Sequence, residues 1–444
     1  MKTKAKAKAK KISQKTATAD SLPENHPLRS AHWIWPNHLM YLINLHSQFR
    51  RDFVLDKVPA KAPFFITADK AYKLYVNGVF VCRGPARGYQ SHWPFDEVDL
   101  ASHLKAGANW ISVEAYNPGI STFQYIHESS AGLLCAAKWG NFTLVSNGEW
   151  KMRRSPAHAR ETARYSLQID FQEHVDARLD DRAWIFSPNP PEPWRAEIFP
   201  DGSQQFLQAP FGRPPYDTIE ERGIPLLREV MMIPEKVTAH TTGKAEAGWK
   251  EWRNVSWGFS REVSQGVKWD SGKNIPSQKT SDVFSVRVEP PSPGTFRAVC
   301  VSLPEYAVGN ISVAVTGGKG GEILDFQTCE RMVGERPAIH DPGRACSAAM
   351  ANRLILRDEE TRHEFFHPLG FRVIILIVRE LSSPIDVSLA VRDVSYPFEM
   401  NGNFECSDAT FNDIHAISRR TQKICSLDAY VDTPWREQAQ WWGD

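Results

Sequence analysis

The run YKLYVNGVFV at residues 72–81 decides the fold class of the front of this chain. Tyr72, Leu74 and Val76 alternate, Asn77-Gly78 follows, and Val79 and Val81 resume the alternation, the pattern of two half-buried strands joined by a type I′ turn. Asn and Gly tolerate the positive φ which that turn imposes. Working outward, Ile111, Val113 and Ala115 alternate after the turn-forming Gly107-Ala108-Asn109, and Trp139, Phe142 and Trp150 continue the theme. From Trp33 to about residue 200 such short runs are separated by turn chemistry, which predicts a β-sandwich over 27–204.

Prolines crowd residues 187–217 (SPNPPEPW, APFGRPPYD) and place a domain boundary near 205, because proline neither donates to a ladder nor continues a helix. Residues 235–295 are polar and rich in Lys, Ser and Gly, which predicts long excursions or irregular strands. Apolar β patterning returns at 296–301, 311–315, 322–326, 371–378 and 387–394, giving a second sandwich over 205–398. The run from Phe371 reads as a strand buried on both faces. After residue 404 the period becomes helical. Ser407 can cap a helix carrying Phe411, Ile414, Ile417, Ile424 and Leu427, and Thr433-Pro434 marks a second helix start. The predicted fold class is mostly β, two sandwiches followed by the first helices of a helical domain (399–444) that these residues do not complete.

The 444 residues, 42% hydrophobic and 24% charged with net charge +1, describe a multi-domain globular protein with no overall field directed at nucleic acid or an acidic membrane. No run is long enough to span a bilayer. Seven dispersed cysteines without a CxxC pair argue against a disulfide framework or a zinc site and read as buried thiols. The first fifteen residues hold seven lysines, and residues 1–26 read as a disordered basic tail with no apolar core for a signal peptide, which leans toward a cytoplasmic location. His363-Glu364-Phe365-Phe366-His367 matches HExxH formally, but Pro368 disfavours helix at His367, so packing or surface histidines are expected and no metal is assigned. The loop 89–95 (YQSHWPF) reads as packed against a sandwich edge, with sugar stacking as the alternative, and 317–321 as a turn.

The densest group of candidate catalytic residues is DTPWREQAQWWGD, 432–444. Cleaving a glycosidic bond needs an acid to protonate the leaving oxygen, a carboxylate to activate water and polar groups around the sugar. Asp432, Arg436 and Glu437 are expected to project from one helix mouth, and a carboxyl beside apolar Trp surface would stay protonated near neutral pH. The alternative is a capped helix start, with the acids facing the dipole, Arg436 pairing with one of them and the tryptophans in the core.

This run resembles the signature of glycoside hydrolase family seventy-eight, the α-L-rhamnosidases, in Asp432, Pro434, Arg436, Glu437, Trp441, Gly443 and Asp444. It departs from it at Trp435, where Gln is common, and at Gln440, where Gly is. Upstream, NGNFECSDATFNDIHAISRRT, HPLGFRVIILIV, KGGEILDFQTCE, YVNGVFVCRGPARG and VDLASHLKAGANWISVEAYN are similar to segments of the same family, so the likeness covers about 33–444. The resemblance implies a galactose-binding-like sandwich, a second, concanavalin-like sandwich and the start of an (α/α)6 barrel. It also implies an inverting mechanism with Glu437 as general acid, Asp432, Arg436, Asp444, Trp441 and Trp442 around a rhamnose-containing glycan or glycoside, no cofactor, and a general base beyond residue 444, so that the chain alone is inactive. The alternatives are a barrel hydrolase for another sugar and a non-catalytic carbohydrate-binding protein.

Overall fold

The computed structural model describes residues 22–36, 42–128, 131–191, 206–207, 216, 218–339, 348–399 and 401–441. Its packed part begins earlier than expected. Leu22 is buried and the His26 ring accepts the Leu28 N–H at 3.2 Å, so residues 22–26 belong to the fold and not to the basic tail.

The hairpin is where its sequence puts it. Ala71–Val76 pairs with Val79–Gly84, Val76 opposite Val79, and φ is 51° at Asn77 and 82° at Gly78. It edges a sheet that continues through Gly107–Asn117 and Leu45–Leu55 to Lys151–Arg154. A second sheet runs from Trp33–Ile34 through Gly132–Trp139 and Pro63–Asp69 to Trp93–Asp99. Phe49, Leu74 and Val113 from one sheet meet Phe64, Ile66 and Leu133 from the other in one core. Each such side chain contributes roughly 1.5–3 kcal/mol by leaving water. In the 89–95 loop, Trp93 is buried and stacks on Tyr216 with ring centroids 4.4 Å apart, while Tyr89 is exposed.

The second unit is a twelve-stranded sheet built on Thr295–Thr316. The first part of that strand pairs with Lys236–Lys244 and Leu369–Val378, the later part with Ile385–Ser395 and Thr361–Glu364. The register breaks between Ser302 and Ala307, where Pro304 has no N–H to offer, and both halves of the strand pack into a single core. Leu369–Val378 is buried at every position except Arg372, as its apolar run predicts.

Two expectations need correction. The polar stretch 235–295 is more regular than its composition suggests: it holds Lys236–Lys244, a helix at Val255–Ser264 capped by Asn254, and Phe284–Val288. The helix supplies Glu262, whose carboxylate takes the Arg379 Nε and Nη2 at 3.0 and 2.7 Å in the interior, while Arg379 Nη1 and Arg353 reach Asp325. The sheets also cross the boundary placed near 205. His174–Asp176 runs parallel to Ala351–Ile355 in the second unit, and Ile219–Glu221 runs parallel to Trp93–Asp99 in the first.

Past the sandwiches, Ala409–Ile424 is helical, with Asp408 rather than Ser407 as cap, accepting the Thr410 N–H at 2.8 Å. None of its residues is buried, and Phe411, Ile414 and Ile417 stand 58%, 52% and 66% exposed. Six cysteines are unpaired among the described residues, four of them buried; Cys346 lies outside those residues. No described helix is long and apolar enough to cross a membrane.

Candidate active site

No second helix starts at Thr433-Pro434 in the described residues. Residues 434–437 form a turn, closed when the Asp432 N–H donates to the Ala439 carbonyl at 2.9 Å and the Ala439 N–H donates to Asp432 Oδ1 at 3.1 Å. Gln438 takes φ +50°, a left-handed geometry that a helix cannot continue through. The turn is held from outside. Trp435 enters the core of the second unit, and Ser166 Oγ donates to the Arg436 carbonyl at 2.5 Å.

Gln438, which the motif reading passed over, locks this turn into the notch between the sandwiches. Its Nε2 donates to the Pro368 and Pro434 carbonyls at 3.2 and 3.0 Å. Its Oε1 accepts from Gln124 at 2.9 Å, and its carbonyl accepts from Arg87 at 2.6 Å. Arg87 in turn pairs with Asp428 at 3.0 Å. At about 1 kcal/mol net per bond these contacts fix the turn more firmly than its own backbone does. Arg87 falls within the RGPARG part of a segment singled out from sequence, but nothing there announces Gln438 as its partner.

Asp432, Arg436, Glu437 and Trp441 come together on this turn; Trp442 and Asp444 lie outside the described residues. Arg436 pairs directly with Glu437 Oε1, and the Trp441 indole N–H donates to Glu437 Oε2 at 3.0 Å. The expected effect of Trp on the acid is therefore reversed at Glu437. Trp441 presents its N–H rather than its ring face, which with Asp432 and Arg436 holds the Glu437 carboxyl below its ordinary value. Asp432 moves the other way: burial pushes it up, and its hydrogen bond with Glu437 adds to the rise. The two neighbouring acids are thus pushed in opposite directions.

Behind the turn lies a cavity of about 140 Å³, lined by Gln438 but not by Asp432 or Glu437. Its cationic walls are compensated, Lys70 by Asp170 at 2.8 Å, Lys73 by Glu364 at 3.0 Å and Arg83 by Glu229 at 2.9 Å. His363 and His367 are both buried, and Thr361–Glu364 is a strand, so the formal HExxH run has no helix to align its imidazoles.

Residues 399–444 match the family model for the bacterial α-L-rhamnosidase six-hairpin glycosidase domain. The chain is α-L-rhamnosidase-like. An α-L-rhamnosidase of Formosa agariphila is 28% identical over 196 residues, 43% of the rhamnosidase-like chain and 20% of the relative, so the chain spans about a fifth of that protein. The crystal structure of a family seventy-eight rhamnosidase of Bacillus sp. GL1 shares its fold at a TM-score of 0.73 and 19% identity, over 93% of this chain and 60% of that one. An α-L-rhamnosidase of Streptomyces avermitilis, complexed with L-rhamnose, matches at a TM-score of 0.54 and 17% identity over 89% and 33% of the two chains. The rhamnosidase-like chain is thus mostly β, sandwiches followed by a partial helical domain.

Strand and turn meet most tightly at Gly370, where an added Cβ would stand 2.5 Å from the Pro434 carbonyl oxygen and 2.7 Å from the Tyr306 hydroxyl. Gly370→Ala is expected to cost about 1–3 kcal/mol and to push the turn outward. Urea unfolding measures the first effect and faster hydrogen exchange at the Gln438 amide the second; unchanged exchange would mean that the turn does not rest on this contact.

Proposed function

We propose that the chain supplies the opening segment of the catalytic domain of an inverting α-L-rhamnosidase, a hydrolase releasing terminal α-L-rhamnose from glycans or glycosides. Glu437 is the proton donor, and Asp432, Arg436, Trp441, Trp442 and Asp444 surround the sugar. The observation that carries this reading is the meeting of Asp432, Arg436, Glu437 and Trp441 on one turn, with Arg436 and the Trp441 N–H both on the Glu437 carboxyl and the two acids pushed in opposite directions. Groups divided in this way can store and release one proton. A glycosidic oxygen arriving at Glu437 would displace the Trp441 N–H and Arg436 that now hold it ionised, and the proton held near Asp432 would pass to it.

The same closeness argues that Asp432 is not the base. An inverting enzyme keeps its two carboxyls about 6.5–9.5 Å apart to admit the sugar and a water, a gap that a directly hydrogen-bonded pair lacks. The general base is accordingly assigned to residues outside these 444. The purified chain is expected to release no nitrophenol above background from an aryl α-L-rhamnoside; turnover that disappears in Glu437→Gln would refute the assignment of the base. Excess L-rhamnose is expected to shift the indole N–H resonance of Trp441, with Arg436→Ala abolishing the shift, and a silent Trp441 would refute the sugar assignment.

A further inference from the structure

Apart from the residues of the 432–441 turn, four side chains converge where the chain leaves the first sandwich for the second. His46 lies on Leu45–Leu55, Glu114 on the adjoining strand Gly107–Asn117, His158 shortly after Lys151–Arg154, and Glu173 directly before His174–Asp176. Their side chains are at most 7% exposed. His158 Nε2 stands 3.7 Å from Glu173 Oε2 and 3.9 Å from Glu114 Oε1, and His46 Nδ1 stands 4.0 Å from Glu114 Oε1. These separations are too long for hydrogen bonds. His46 Nδ1, His158 Nε2 and Glu173 Oε2 are each sealed from solvent without a hydrogen-bond partner, and all three lie within 4.8 Å of one another. Buried polar atoms are nearly always paired, so three orphans at one point call for a physical cause.

The outer atoms of three of these groups are occupied. Ser155 Oγ meets His158 Nδ1 at 2.7 Å. Glu173 Oε1 accepts the Phe366 and His367 N–H groups at 2.6 and 3.0 Å, and Arg182 reaches Glu114 Oε2 at 3.5 Å. Partners on the far side of each group, with the inner lone pairs left over, are how proteins orient metal ligands. We propose that His46, His158, Glu173 and Glu114 bind one divalent transition-metal ion of the zinc class, clamping the first sandwich to the segment that crosses into the second. Bonds of about 2.0–2.2 Å in tetrahedral array place ligand atoms about 3.3–3.5 Å apart, so the separations of 3.7–4.0 Å need to close by a few tenths of an ångström, and the widest spacing, within 4.8 Å, by no more than about 1.5 Å. The His46 and His158 rings, stacked with centroids 3.9 Å apart, would turn slightly to share the ion. Two carboxylates balance its charge. Nothing in the sequence announces the group, because its members are scattered from 46 to 173 with no ligand spacing.

The test is titration of the chelator-stripped full chain with Co²⁺, followed by displacement with Zn²⁺. One equivalent is expected to bind with the intense visible absorption of four-coordinate cobalt, to be displaced one for one by zinc, and to raise the melting temperature. His158→Ala is expected to lose both band and equivalent while retaining the far-ultraviolet dichroism of a folded β protein. A wild-type chain that takes up no equivalent, or a cobalt band that survives His158→Ala, would overturn the site. The wild-type titration decides the question even if the variant does not fold.

Discussion

Arg379→Met is expected to lower the unfolding free energy by about 3–5 kcal/mol, because it removes a guanidinium shared by two buried acids. Arg379 and both partners, Glu262 and Asp325, have no exposed side-chain surface. The fork is bidentate to Glu262 and reaches Asp325 Oδ2 at 2.7 Å, with Trp252 and Trp249 at 4.8 and 5.2 Å covering the guanidinium. After the substitution Asp325 keeps Arg353, but Glu262 keeps only the Glu246 N–H at 3.1 Å. Lysine is a poor substitute, since a point charge cannot occupy both arms. The pH dependence follows from the sign of each shift. Burial pushes Asp325 up, yet Arg353 and then Arg379 outweigh it and hold the carboxyl low; Glu262, with a single guanidinium, remains raised. A depressed acid contributes stability above its unfolded pKa and loses that contribution as pH falls through its folded pKa. Removing Arg379 raises both acids, so the deficit is expected to be full at pH ~7 and to shrink toward pH ~4. Urea unfolding at the two pH values measures it, and a loss below ~1 kcal/mol at neutral pH would mean that the network is wet or rearranged.

Asp69→Asn should instead remove an alkaline weakness. Asp69 is buried, its Oδ1 has no hydrogen-bond partner, and the Asn117 amide is 3.5 Å from Oδ2. Burial pushes its carboxyl from an ordinary 3.8 up to about 7, with the Tyr125 and Tyr216 hydroxyls offsetting only part of the rise. A raised acid stabilises the fold fully below its unfolded value, and that contribution is lost as pH rises through the folded one. Between about pH 4 and 8 the wild-type chain should therefore lose ~4 kcal/mol at this position, at ~1.4 kcal/mol per unit. Asparagine has no charge to bury and should flatten the profile, leaving the variant the more stable protein at pH ~8. Superimposable stability profiles for variant and wild type would show that Asp69 is solvated or paired in solution.

How much of this could be read from residues alone varied with how local the cause was. The 72–81 hairpin and the 369–378 strand were readable because alternation, an Asn-Gly turn and an uninterrupted apolar run each fix backbone geometry within a few residues. The helix Val255–Ser264 was not, because Ser and Gly dilute its propensity and its reason for existing is distant. Gly258 lets the Trp252 ring lie where a Cβ would come within 2.2 Å, and Glu262 answers to Arg379. At the candidate site the motif grouped residues that the fold brings together, but on a different backbone from the helix start it suggested. Asp432, Arg436, Glu437 and Trp441 do meet, yet on a turn whose shape is imposed by Gln438, which accepts from Arg87 and Gln124 and donates to the Pro368 carbonyl. The acidities depended on which edge of Trp441 faced the carboxyl, a matter of orientation that no spacing encodes.

The two short parallel strands that change sides, His174–Asp176 and Ile219–Glu221, make the sandwiches mutual hostages. A protease nick between them would leave each fragment with one strand stitched into the other's sheet, so the halves should travel together on a sizing column until denatured. Trimming the chain to either half would strip a β edge from what remained and expose a ladder to aggregation. Melting of the intact protein should accordingly be one event rather than two.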